Sequence, residues 1–270
     1  MTITAGFRCK NGVVLCADSE ITLTQGKTYE AKLFTINEEQ EAYLAYAGSS
    51  FFIKELVGSL RDTSEGKTGK TLIDAIRKTY KSLHNKHYTK PPKGEKSFAD
   101  ILVTARHGKW ISLYAGSGRH WFLVDKYQTF GVGQDQAEPI FNPLYSSDIS
   151  TTETSFMAIY ALRRIKGFVQ GCGGPTEIRQ VDDAGRFFSR YVWGKERIKR
   201  AEEDYDFFEK TMRPILLSLP DTLSTDKKKF NALVSQMVKE LRRRRAGRLQ
   251  IEEREFNEFI GKIFDDKDSK

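Results

Sequence analysis

Cysteine is scarce and poorly spaced for metal or redox chemistry. Cys9, Cys16 and Cys172 are odd in number and form no C-x-x-C pair, which argues against a disulfide framework or a zinc site and fits a reducing compartment. Long apolar runs are also missing: nothing approaches the roughly 18 residues that cross a bilayer, and no basic segment leads into an apolar one near Met1. These absences predict a soluble, cytoplasmic chain with no membrane partner. A phosphate loop is lacking too. Gly66-Lys67-Thr68-Gly69-Lys70-Thr71 imitates one, but the full pattern needs glycine where Ser64 stands, and no strand leads into it, so the segment reads as a plain loop. His84 and His87 stand three apart without further ligands and read as surface histidines. No metal and no cofactor is expected.

What is present is ample apolar material and a basic excess. The 270 residues, 39% of them hydrophobic, suffice for a substantial core. The formal charge of +8 raises the question of nucleic acid. After Trp193, however, 19 basic residues stand against 16 acidic ones, so the excess is shared by both parts of the chain. The run Leu241-Arg242-Arg243-Arg244-Arg245 is followed by Glu252, Glu253 and Glu255, which suits a solvated or partner-facing helix. Nucleic acid is therefore not the expected partner.

Residues 2 to 48 read as short strands: Ile3, Ala5, Phe7 and Cys9 alternate with small or polar neighbours, and Lys10-Asn11-Gly12 turns the chain into the apolar run Val13 to Ala17. Helices are predicted from Ser50 to about Leu60, with Phe51, Phe52, Leu56 and Val57 inward, and from Lys70 to about His84, with Leu72, Ile73, Ile76, Tyr80 and Leu83 inward. Lys90-Pro91-Pro92-Lys93-Gly94 breaks the pattern. Strands follow at Asp100–Ala105, Lys109–Ala115, Arg119–Val124 and Tyr127–Val132, all assigned to a second sheet. A short helix is expected over 135 to 146 and a long one over Thr151–Val169, its apolar side carrying Phe156, Ile159, Tyr160, Leu162, Ile165 and Phe168. Strands Thr176–Val181 and Arg186–Val192 close this part. From about Trp193 the pattern is helical: Lys195–Leu219 with a kink at Pro214, Thr225–Arg245 and Leu249–Phe264. The apolar stripe Phe230, Leu233, Val234, Met237, Val238 and Leu241 suits packing on the core or on another subunit. Two domains are expected, 1–192 and a helical extension, 193–270.

Thr2 is the residue with the most chemical content. Removal of Met1 gives it a free α-amine beside its own hydroxyl, and an amine with an ordinary pKa of roughly 7.7 to 8 can take a proton from that hydroxyl near neutral pH. An internal threonine has only an amide nitrogen, which is no base.

From Thr2 to Gly48 the chain resembles the catalytic β-subunits of the proteasome and their bacterial relatives HslV and Anbu, the N-terminal-nucleophile hydrolases. The likeness rests on the Thr2 strand, on Gly12-Val13-Val14-Leu15-Cys16-Ala17-Asp18-Ser19, on Lys32 within Ala31-Lys32-Leu33-Phe34-Thr35-Ile36, and on Ala45-Tyr46-Ala47-Gly48-Ser49-Ser50. It implies an α+β fold, a four-layer αββα sandwich, to which the helical extension is added. It also implies roles. Thr2 is the nucleophile, Lys32 promotes loss of its proton, Asp18 holds Lys32, and the Gly48 N–H supports the oxyanion.

Later segments depart from the pattern. Phe130-Gly131-Val132-Gly133-Gln134-Asp135 carries Gln134 where relatives have serine, and Gly171-Cys172-Gly173-Gly174 carries Cys172 at a serine place, with Val169 at an aspartate place. Gln134, Asp135, Cys172 and Gly173 are thus supporting candidates around the terminal amine. The resemblance implies a threonine hydrolase acting on peptides or unfolded polypeptide, assembly with copies of itself, and in some relatives an ATPase that delivers substrate. The replacements leave two rivals open: a scaffold that has lost its chemistry, and an acylase acting on small amides.

Overall fold

The computed structural model describes residues 2–23, 26–37, 42–89, 98–182, 195–207, 209–210 and 243. The chain opens with a hairpin, β1 (Thr4–Cys9) and β2 (Gly12–Asp18), in antiparallel register with Thr4 opposite Ala17 and Cys9 opposite Gly12. A small separate hairpin follows, β3 (Glu20–Leu23) and β4 (Gly26–Tyr29). β5 (Leu33–Asn37) and β6 (Ala42–Gly48) then lead into α1 (Ser50–Ser64), whose first turn is capped by Ser49. After α2 (Gly69–Thr89) come β7 (Ala99–His107), β8 (Trp110–Ser117), β9 (His120–Leu123) and β10 (Tyr127–Phe130). α3 (Gln134–Leu144), α4 (Thr151–Phe168) and β11 (Thr176–Asp182) follow.

The strands form a sheet in the order β10-β1-β2-β11 and a second in the order β5-β6-β7-β8-β9. Alternation along β6 divides the core. Ala42, Leu44 and Tyr46 join Ile101 and Val103 of β7 against α1 and α2. Tyr43, Ala45 and Ala47 face the other way and pack with Val13, Leu15, Leu113, Ala115 and Val181, which puts the two sheets face to face. On the far side of the first sheet Phe7 meets Phe141 of α3 edge-on at 4.8 Å. Burying each ring contributes about 1.5–3 kcal/mol. α4 covers β2 and β11 and starts from a capping box between Ser150 and Glu153.

Several sequence expectations need correction. β10 does not belong with β7, β8 and β9: it pairs with β1, with Phe130 opposite Thr4. Phe51 and Phe168 are exposed, 55% and 77%; Ile159, Leu162 and Ile165 are buried on α4 as expected, and the smaller Thr154, Ser155, Ala158 and Ala161 share that buried side. Small side chains let a helix approach a sheet closely. His84 and His87 are not on the surface, since they turn inward on the same face of α2 as Tyr80 and Leu83. His87, fully buried, keeps a polar partner in Glu55 Oε2 at 2.8 Å, which offsets its loss of water. Part of the expected loop at 66–71 is helical, because α2 begins at Gly69.

The chain divides into two compact units, Met1–Trp193 and Gly194–Lys270. In the second, α5 (Lys195–Phe207) buries Ile198 and Ala201. The Lys90–Gly94 breaker, the strand expected at Arg186–Val192, the Pro214 kink and the helices expected at Thr225–Arg245 and Leu249–Phe264 lie outside the described residues, Arg243 apart.

Candidate active site

Thr2 and Ile3 lead into β1 and are held by two neighbouring segments. Ile3 donates its N–H to Asp18 Oδ1 at 3.0 Å and accepts the Asp18 N–H at 3.1 Å. On the other side Gly133 donates to the Thr2 carbonyl at 3.4 Å. The nucleophile candidate is thereby 3% exposed and fixed through its backbone.

Asp18 ends β2 and is fully buried. A carboxylate there needs donors for both oxygens, since an unpaired buried charge costs several kcal/mol. Oδ1 accepts from the Ile3 N–H, from Lys32 Nζ at 2.8 Å and from the Thr2 hydroxyl. Oδ2 accepts from the Gly173 N–H at 2.9 Å and the Glu20 N–H at 3.3 Å.

Lys32 sits one residue before β5 and is 2% exposed. Its ammonium has three protons to place. They go to Asp18 Oδ1, to the Glu20 carbonyl at 2.6 Å and to Thr2 Oγ1. Burial pushes the Lys32 pKa down, and the Asp18 charge opposes that shift. The hydroxyl of Thr2 is therefore set between a carboxylate that takes its hydrogen bond and an ammonium that faces its oxygen. The ammonium favours the negative charge that the oxygen gains as it loses its proton, while the carboxylate opposes it and holds the ammonium in place.

Thr2, Asp18 and Lys32 are brought together; the other sequence candidates are placed less uniformly. Gly48 closes β6, two residues beyond Tyr46, whose carbonyl accepts the Thr4 hydroxyl at 2.9 Å, so it lies at the end of the sheets where β1 begins. Gly173 joins the site through its N–H to Asp18. Cys172 is 3% exposed, and burial, followed by the Asp18 charge, raises its thiol pKa to about 12. Gln134 and Asp135 open α3, with the Gln134 amide turned to Glu138 at 3.3 Å and Asp135 exposed. A first-turn carboxylate in solvent suits the positive end of a helix. Val169 caps the end of α4.

Two contributors escaped the sequence reading. Glu20 supplies the carbonyl that takes the third Lys32 proton, and its own buried side chain pairs with Lys27 at 2.9 Å. Glu177 accepts the backbone N–H groups of Lys32 and Leu33. A carbonyl role has no residue signature, and one acidic residue in a strand gives no signal. Among the described residues no cluster of His, Cys, Asp and Glu is suited to hold a metal ion.

No protein-family model matches the sequence, and no curated protein matches it. Solved structures do match. Anbu, an ancestral β-subunit from Yersinia bercovieri, aligns with a TM-score of 0.64 at 14% identity over 81% of this chain and 98% of its own. A Gly-1 mutant of Anbu from Hyphomicrobium sp. strain MC1 aligns with a TM-score of 0.62 at 12% identity over 79% of this chain and 97% of its own. At such identities the likeness is one of architecture, and it agrees with the resemblance read from residues 2 to 48: this chain has the proteasome-like fold of the Anbu β-subunits.

Proposed function

We propose that this chain is a threonine-type N-terminal-nucleophile hydrolase that cleaves amide bonds once Met1 has been removed. The observation that carries the reading is the seating of the Thr2 hydroxyl between Lys32 and Asp18, both buried. In the reaction Thr2 Oγ attacks the scissile carbonyl carbon and its proton passes to the freed α-amine. The Lys32 ammonium stabilises the charge on Oγ, Asp18 holds Lys32 in place, and the Gly48 N–H donates to the oxyanion. The amine then gives the proton to the departing nitrogen, which leaves an ester on Thr2. Water, deprotonated by the same amine, hydrolyses that ester and restores the hydroxyl.

The substrates are peptides or unfolded polypeptide, handled in the cytoplasm by an assembly of several copies with an ATPase unfoldase as partner. Residues 1–192 form the hydrolase core, and a helical extension, 193–270, follows it. A second reading draws on Gln134, turned to Glu138, and on Val169, which leave the amine with fewer partners than relatives offer: a scaffold that keeps the fold without the reaction.

Two measurements decide. Intact mass of the protein from its own cell reads whether Met1 is gone, and incubation with a β-lactone, which esterifies an activated hydroxyl, reads Thr2. The hydrolase predicts a chain beginning at Thr2, labelled once, with labelling abolished in Thr2→Ala. A retained methionine, or labelling that survives in Thr2→Ala, rejects it in favour of the scaffold. Unfolded casein compared with short amides separates a peptidase from an acylase.

A further inference from the structure

Glu177 joins the two sheets at the lysine of the site. β11 edges the four-stranded sheet and β5 edges the five-stranded one. Reaching from β11, Glu177 Oε2 accepts the Lys32 N–H at 2.8 Å and the Leu33 N–H at 3.1 Å. In an extended strand, successive N–H groups point to opposite sides. Two adjacent ones meet at a single oxygen only where the backbone bends, and together they make a small anion-binding concavity. The bend falls at Lys32, just before β5 begins at Leu33, and the lysine side chain runs from it into the buried contact with Thr2 and Asp18. Without the carboxylate, two part-buried N–H groups would lose their acceptor.

We infer that Glu177 is a positioning residue: its carboxylate oxygen fixes the backbone of Lys32 and Leu33, and so keeps the Lys32 ammonium against the Thr2 hydroxyl. This role rests on the threonine-hydrolase reading, whereas the backbone anchor stands apart from it.

Two variants separate position from charge in the full-length protein. Glu177→Gln keeps an acceptor oxygen at the same reach and removes the charge. Glu177→Asp keeps the charge and withdraws the oxygen by one methylene. Amide hydrogen exchange read by NMR reports Lys32 and Leu33 without any need for catalysis, and β-lactone labelling reports Thr2. In Glu177→Asp, exchange at both amides is expected to rise at least about tenfold and labelling to slow on the order of 10- to 100-fold, the scale of loss brought by a misplacement near 1 Å. Glu177→Gln is expected to stay within about threefold of wild type in both, because one amide oxygen can still accept two N–H groups. Unchanged exchange in Glu177→Asp overturns the anchor, and faster exchange with unchanged labelling overturns the positioning role. The reverse pattern, with Gln impaired and Asp normal, replaces position by charge and overturns it too. If wild-type Thr2 stays unlabelled while exchange responds as expected, the hydrolase reading falls and the anchor stands.

Discussion

Gly131 lies so close to Thr2 that a Cβ built on it would stand 2.2 Å from the Thr2 carbonyl oxygen. Its φ of +101° is also one that residues with side chains rarely adopt. Substituting Gly131→Ala therefore presses on the backbone of the nucleophile itself. Urea unfolding is expected to show a loss of about 1–3 kcal/mol, and β-lactone labelling of Thr2 a drop on the order of 10- to 100-fold. Normal labelling in a folded Gly131→Ala protein would remove this turn from the account of how Thr2 is seated.

Removing one member of the Lys32–Asp18 pair is expected to harm the fold more than replacing both. Lys32→Met leaves the fully buried Asp18 without its cation, a loss of about 3–5 kcal/mol, and adding Asp18→Asn recovers part of it, about 1 kcal/mol or more. A double-mutant cycle in urea measures this, and strict additivity would show the two residues to be uncoupled. The pH dependence has a definite sign. Burial holds the Lys32 pKa below its ordinary 10.5, so between the lowered value and 10.5 the unfolded chain binds more protons than the folded one. Stability from this residue rises with pH across that window, and Lys32→Met abolishes the rise.

The three thiols are expected to be inert in the folded protein. Burial raises Cys9 to about 11 and both Cys16 and Cys172 to about 12, which leaves roughly one thiolate in a thousand or fewer at pH 8. Iodoacetamide should modify all three in urea and none at a comparable rate in buffer. Raised thiol pKa values also mean that the folded state keeps protons the unfolded chain releases, so this contribution to stability is full below the ordinary 9.0 and declines as pH climbs toward 11 and 12. Fast native alkylation of Cys172 would make it a competing nucleophile beside Thr2.

The opening hairpin was legible because its information is local: alternation in β1, a Lys10-Asn11-Gly12 turn and an apolar β2 require no knowledge of distant residues. That Asp18 and Lys32 lie beside Thr2 is what the family resemblance implied, and the structure brings the three side chains together. β10 was not legible, because its pairing with β1 joins residues about 126 positions apart, Thr4 with Phe130, and strand periodicity says nothing about which sheet a strand enters. The faces of the helices were read from bulk, which found Ile159, Leu162 and Ile165 but misplaced Phe51 and Phe168 and passed over the small residues that let α4 lie close to its sheet. His84 and His87 were misjudged because polarity alone suggested water, while the burial of His87 depends on a carboxylate, Glu55, lying 32 positions earlier.

The two charged partners of Thr2 come from opposite sheets: Asp18 ends a strand of one, and Lys32 leads into a strand of the other. Under the proposed function, reactivity at Thr2 is consequently a gauge of their alignment. A slide of one sheet over the other by about 1 Å would part the ammonium from the hydroxyl and slow the proposed reaction on the order of 100-fold. Under that proposal a force on α1 or α4, which pack on different sheets, reaches Thr2 through this alignment.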